Sequence, residues 1–317
     1  MKQILFLNHS IKNCGVYQYG KRVYDIIKAT ENIHYIYKEL NSLQEYKSLI
    51  SENKIDAIIY NYHISTMSWL NTETIQTIVK NIGIFHENTS HDFFDIICDT
   101  NPDLSNSRHH FALPRPIFEN IDTLVISKSS SSQVDAFINA YQNTGVPIFG
   151  SFGFGFDNKG FDKAVKLIND TYDSAVIKFV IPVAHFDPNT QTAIHMKNKC
   201  LNANIKEGIK IMITHDFFST EDILRFLGSN TMNIFLYDKM YTRGISSTID
   251  YAISVKKPIG ISDSYMFRNI YNDSICLYKV SIKECLQNST DYCKQFLEKY
   301  SHSNMIKEFK KVIEQLN

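Results

Sequence analysis

Short runs of apolar, β-favouring residues recur along the chain, separated by stretches in which apolar positions return every three or four residues. Near-continuous apolar runs suit strands buried on both faces, and the longer period suits helices laid against them. The alternation therefore predicts parallel sheets with crossover helices. In the first half the runs predict strands over 4–8, 34–37, 57–60, 83–85, 96–98 and 124–127. Val16, Tyr19, Val23 and Ile27 mark one face of a helix after the first strand, and residues 42–50 continue in the same style. The pattern then restarts, with strands over 147–152, 176–182, 210–214, 233–237, 258–262 and 275–278. Phe161, Ala164, Val165 and Ile168 give its first helix an apolar face. A later helix opens with Ser219 and an acid three residues on, Asp222, a capping arrangement that satisfies free N–H groups. Its apolar face is Ile223, Phe226 and Leu227, and residues 291–316 are helical in composition and expected to pack back across the first half.

Polar, turn-forming residues at 127–133 and Asn143-Thr144-Gly145 separate the two series and place a linker near 128–146. The expected organisation is a Rossmann-like domain over 1–140, a second over 146–290 and a helical tail over 291–317, with a cleft between two similar halves. At 317 residues the chain has the length of two domains of about 150 residues each.

Composition narrows the partners. Thirty-three basic residues balance thirty-three acidic ones, so no overall field draws the chain to nucleic acid or an anionic membrane. An anionic ligand must be held locally. The opening Lys2-Gln3-Ile4-Leu5-Phe6-Leu7 is cut off by Asn8 and His9 and reads as a strand, not a leader, and no apolar run has the length of a spanning helix. The six cysteines form no C-x-x-C pair or His/Cys cluster, which points to reduced thiols in a cytosol and to neither a zinc site nor a disulfide framework.

Two segments carry the candidate chemistry. The first is Gly150-Ser151-Phe152-Gly153-Phe154-Gly155-Phe156-Asp157-Asn158-Lys159-Gly160, between a predicted strand and a predicted helix. Glycines let the backbone approach a ligand closely, the start of the helix attracts phosphate, and Lys159 adds a full charge. The spacing fits neither a P-loop nor a dinucleotide fingerprint. The second is Tyr237-Asp238-Lys239-Met240-Tyr241-Thr242-Arg243-Gly244-Ile245-Ser246-Ser247-Thr248-Ile249-Asp250-Tyr251-Ala252, followed by Lys257-Pro258. Ser246 and Ser247 are placed to cap a helix whose free N–H groups face a diphosphate, and Arg243 to supply a planar clamp.

Taken together these segments resemble the donor-binding half of GT-B glycosyltransferases, in particular the retaining family 4 group. The organisation covers most of the chain and the motifs mainly 148–262. The resemblance implies two Rossmann-like domains with parallel sheets facing across a cleft, the second holding a nucleotide-sugar donor and the first an acceptor. In that family an Arg and a Lys hold the donor diphosphate; here Gly153 and Lys159-Gly160 match, and Phe154 stands in the arginine's place. Later, Gly244, Ala252 and Lys257-Pro258 are kept. Arg243 replaces the first glutamate, Ser246 the second glycine and Tyr251 the second glutamate, with Asp250 beside it to reach a ribose hydroxyl. Arg243 is expected to restore the cation lost at Phe154.

In the first half Gly15, after the first strand, is the counterpart of a phosphate-side glycine. His86-Glu87 ends a strand, and His86 resembles the family's histidine at the cleft. As a neutral donor it would bond a sugar hydroxyl, with Glu87 orienting it or accepting the acceptor's proton. His215 ends a second-half strand where the nucleotide base would lie, and Tyr241 and Ile245 flank Arg243 and Gly244 in the donor loop. The resemblance implies glycosyl transfer with no bound metal and no cofactor beyond the nucleotide-diphosphate sugar as co-substrate. Two rivals stay open: a degenerate protein that binds a nucleotide sugar or glycan without turnover, and a nucleotide-sugar epimerase.

Overall fold

A computed structural model describes residues 1–52, 54–75, 78–86, 93–103, 107, 109–121, 131–184, 187, 189–241 and 243–316. By contact the chain divides into two compact units. One comprises Met1–Pro116, Thr242–Ile245 and Glu298–Asn317; the other comprises Ile117–Tyr241 and Ser246–Leu297.

The first unit is built on a six-stranded, wholly parallel sheet in the order β2-β1-β3-β4-β5-β6. Its strands are β1 (Lys2–Asn8), β2 (Ile33–Glu39), β3 (Ala57–Tyr62), β4 (Lys80–Phe85), β5 (Ile96–Asp99) and β6 (His110–Ala112). Helix α1 (Gly15–Ile27) follows β1, and α2 (Leu43–Glu52) follows β2. Side chains alternate across the sheet, as the two-residue period requires. Ile4 and Phe6 join Ile59, Ile82 and Ile84 in one core with α1, while Leu5 and Leu7 join Ile58 and Tyr60 in the other. Ile4, Leu5, Phe6 and Leu7 have no exposed surface. Each such burial stabilises by roughly 1.5–3 kcal/mol, which explains why the run contains no polar position until Asn8.

The second unit carries a five-stranded parallel sheet in the order β11-β10-β7-β8-β9. Its strands are β7 (Ile148–Phe152), β8 (Ala175–Val180), β9 (Ile209–Thr214), β10 (Met232–Phe235) and β11 (Ile259–Ile261). The helices are α3 (Ser132–Asn139), α4 (Phe161–Thr171), α5 (Gln191–Ala203), α6 (Thr220–Gly228), α7 (Thr248–Ser254) and α8 (Ile282–Lys299). In both sheets the chain steps out to one side and then reverses to the other. The reversals fall between β1 and β3 and between β7 and β10. In open α/β sheets ligands gather at the carboxyl ends of the strands flanking such a reversal.

Several expectations change. Residues 132–139, read as linker, form α3, because Ser131 accepts a bond from the Val134 N–H and Val134 and Ile138 bury one face. Residues 275–278 do not form a strand: a 3₁₀ turn over Asp273–Ile275 leaves only a bridge between Ile261 and Cys276. The three residues of β6 are too few to give a periodic signal, and the strand expected at 124–127 lies outside the described residues. The tail is two helices, α8 and α9 (His302–Glu314), broken at the buried Tyr300 and the Ser301 cap. Met305, Phe309, Val312 and Ile313 of α9 belong to the first unit's core beside α1 and β1. Among the described residues no helix is long and apolar enough to cross a membrane.

Candidate functional site

In the second unit the loops after β7 and β10 meet at the sheet's reversal. Gly153 leaves β7 at φ +139, and a 3₁₀ turn over Asp157–Lys159 ends on Gly160 at φ +63. A side chain at Gly160 would put its Cβ 2.0 Å from the Leu236 carbonyl oxygen, so glycine lets α4 begin against the end of β10. The Asp238 N–H donates to the Asn158 carbonyl at 2.9 Å, and Lys163 pairs with Asp238. These ties hold Lys159 over the ring of Tyr237, Nζ 3.8 Å from its centroid. No described carboxylate pairs with Lys159, whereas the neighbouring Asp157 is paired with Lys199 at 2.8 Å. The Lys159 ammonium is thus held over an aromatic face with no described carboxylate beside it.

Tyr237 also joins this loop to the start of α7. Its hydroxyl lies 3.1 Å from Thr248 Oγ1, which lies 2.8 Å from Ser246 Oγ. Gly153, Lys159, Tyr237, Thr248 and Ser246 are therefore gathered in one place. The expected serine cap is absent: Ser247 stands at the N-cap position without a side-chain cap bond, and Ser246 bonds Thr248. The Ser246 N–H is not offered to a diphosphate, because it donates to the Met266 carbonyl at 3.0 Å. Asp250 has no exposed surface and does not face solvent where a ribose would approach. Tyr251 is packed against Phe118 and Phe152, with centroids 4.8 and 5.5 Å away.

Phe154, Tyr241 and His215 have neighbours of their own. Phe154 stacks edge-on to Phe156 at 6.3 Å, and Tyr241 is 70% exposed. His215 places Nδ1 2.9 Å from the Ile181 carbonyl, which makes Nδ1 a donor, and its buried Nε2 has no hydrogen-bond partner among the described residues. Arg243, Gly244 and Ile245 group by contact with the first unit.

In the first unit the polar side chains collect at the reversal between β1 and β3. Asn8, His9 and Asn61 are almost completely buried, and His86 follows β4. Asn61 Oδ1 lies 2.7 Å from His86 Nε2, and Asn61 Nδ2 donates to Asn8 Oδ1 at 2.9 Å and to the Val16 carbonyl at 2.8 Å. Tyr19 meets His86 edge-on at 4.8 Å, and the Arg115 guanidinium lies 4.8 Å from the centroid of the same tyrosine ring. Burial, then the neighbouring His63, Arg115, His9 and Arg22, push the His86 pKa well below its ordinary value. A ring with so lowered a pKa is neutral at physiological pH, and its Nε2 is turned to Asn61. Gly15 opens α1 and is exposed. Glu87 lies outside the described residues.

No family model and no curated protein matches this sequence. Solved structures do match over the whole chain. A glycosyltransferase from Rickettsia africae ESF-5 is 12% identical with a TM-score of 0.66, covering 99% of this chain and 98% of its own. Anabaena HepE in complex with UDP-glucose is 10% identical with a TM-score of 0.70, covering 99% of this chain and all of its own. An α,α-trehalose-phosphate synthase (UDP-forming) from Burkholderia xenovorans, in complex with glucose-6-phosphate, is 8% identical with a TM-score of 0.67 over 99% of this chain and all of its own. The fold is of the GT-B type. With two parallel-sheet Rossmann-like units, the expected fold class is found.

Sequence reading gave no role of their own to Tyr237, Thr248, Asn8 and Asn61. A usable signal existed for the asparagines. Each is a polar residue at or near the carboxyl end of a buried apolar strand, where an unpartnered amide would be costly and a network is therefore expected.

Proposed function

We propose that this chain is a nucleotide-sugar-dependent glycosyltransferase whose second unit holds the donor diphosphate and whose first unit serves the acceptor. One observation carries the reading: Lys159, free of any described carboxylate, is seated on Tyr237 at the sheet reversal, beside the glycine loop. A pre-positioned cation of this kind stabilises charge growing on a leaving diphosphate without reorganising as the bond breaks. Solved proteins of this fold, one of them bound to UDP-glucose, support the same reading. In this mechanism Lys159 holds the diphosphate, the Tyr237 ring and Thr248 fix its surroundings, and His86 bonds a hydroxyl. Retention of configuration and independence from metal belong to the proposal. They are checked by the anomeric configuration of the first-formed product and by transfer that persists in EDTA.

The deciding experiment is a thermal-shift screen against UDP-, GDP-, ADP- and CMP-sugars, followed by a transfer assay with an acceptor panel. Selective binding raises apparent stability by mass action, about 2.7 kcal/mol at a hundredfold excess over Kd. A shift that disappears in Lys159→Ala supports the donor site, and no shift with any nucleotide sugar refutes it. A second reading, a binding protein without turnover, is favoured by Phe154 and by Tyr251, which sits in an aromatic cluster where the family carries a glutamate. Binding with neither transfer nor donor hydrolysis would establish it.

A further inference from the structure

The amide groups around His86 are oriented by backbone groups whose roles are not negotiable. The His9 N–H can only donate, and it donates to Asn8 Oδ1 at 3.0 Å. The Tyr17 carbonyl can only accept, and it accepts from Asn8 Nδ2 at 3.0 Å. Asn8 is thereby fixed with its oxygen toward Asn61, so the Asn61 atom facing it must be the NH₂ group, at 2.9 Å. The Val16 carbonyl, 2.8 Å from the same nitrogen, demands this independently. With its nitrogen spent on Asn8 and Val16, Asn61 presents only Oδ1 to His86 Nε2, 2.7 Å away. An amide oxygen cannot donate, so the ring nitrogen must carry the proton.

We infer that Asn61 is a positioning residue: anchored by the His9, Tyr17 and Val16 backbone, it holds His86 as the Nε2–H tautomer and leaves Nδ1 as the hydrogen-bond acceptor of the site. The ligand group that pairs with His86 is accordingly a donor and not a carbonyl or phosphate oxygen. Taking that donor to be a sugar hydroxyl rests on the glycosyl-transfer reading above; the placement of the proton does not. Helix α1 is built around the same amide. Gly20 lies where a Cβ would fall 2.3 Å from Asn61 Nδ2 and 2.4 Å from its Cγ, so only glycine leaves Asn61 its place. Tyr19, one residue earlier, fixes the plane of the ring edge-on at 4.8 Å.

The test is a long-range proton–nitrogen correlation spectrum of the full chain labelled with ¹⁵N-histidine at neutral pH, with the His86 signals assigned by their loss in His86→Gln. A neutral ring protonated on Nε2 alone is expected. In Asn61→Leu, which removes the acceptor, and in Gly20→Ala, which displaces it, the two ring nitrogens should move toward each other as the proton divides between them. A wild-type ring protonated on Nδ1, or on both nitrogens, overturns the inference without any variant. So does an unchanged His86 pattern in either variant, provided that variant folds. None of these readouts depends on transfer, so failure of the glycosyltransferase reading would be seen separately in the donor screen.

Discussion

At the scale of single residues, the surroundings of His86 keep its ring uncharged. His86 is desolvated and has the Arg115 and Arg22 guanidinium groups among its neighbours, so the folded protein resists its protonation. The unfolded chain takes up that proton near pH 6.5, and it binds more protons than the folded state below that value. The contribution of His86 to stability is therefore complete above about pH 6.5 and is lost as pH falls toward its depressed folded pKa. Urea unfolding followed from pH 7.5 to 5 should show this decline, and His86→Gln should flatten it. The tautomer makes a second prediction. Asn in place of His puts an amide oxygen near the position of Nδ1, whereas Gln reaches toward Nε2. His86→Asn should thus retain more ligand-induced thermal shift than His86→Gln; the reverse order would contradict an outward acceptor. Lys159→Ala should weaken nucleotide-sugar binding by roughly tenfold or more, the effect of removing one charge-assisted contact of about 1.5–3 kcal/mol. Isothermal titration measures it directly.

Among the elements, most boundaries follow from caps that are local in sequence. Ser219 accepts from the Asp222 N–H at 3.1 Å and starts α6 as its sequence indicates. Replacing it with Ala should cost about 1 kcal/mol. Gly160 is different in kind, because a side chain there is excluded twice, by the positive φ and by the Leu236 carbonyl oxygen that would lie 2.0 Å from its Cβ. Gly160→Ala is expected to lower the unfolding midpoint well beyond the ~1 kcal/mol of backbone preference alone, and to loosen Lys159 with it. Helix α9 contributes through packing: Phe309 has no exposed surface and lies in the core with β1 and α1. Phe309→Ala should destabilise by about 3–5 kcal/mol in a urea titration monitored by circular dichroism.

For the whole molecule, the buried thiols set the alkaline limit. Burial pushes Cys200, Cys285 and Cys293 up to about 12 and Cys98 higher still. Unfolded thiols ionise near pH 8.5, so above that value the folded state holds more protons and stability falls as pH rises. Lys178, buried on β8 and brought down to about 8, acts in the opposite sense between there and 10.5, but it is one group against four. Under reducing conditions the midpoint of unfolding should decline from about pH 9 upward. Cys14 alone among the six is not buried, so one thiol should react with Ellman's reagent before unfolding and six after it. The parallel α/β architecture was legible in the sequence because apolar runs and helical periods are local consequences of burial on both faces of a sheet. Lys159 and His86 could be singled out because each follows a strand, where loops present ligand groups. What the tertiary structure alone decided is how those residues are held. Tyr237 reaches Lys159 from 78 positions along the chain, and Asn61 reaches His86 from 25. The withdrawal of the Ser246 N–H to Met266 likewise depends on a partner brought near only by folding. Periodicity records which face of an element is buried; it carries no record of which distant side chain completes a hydrogen bond there.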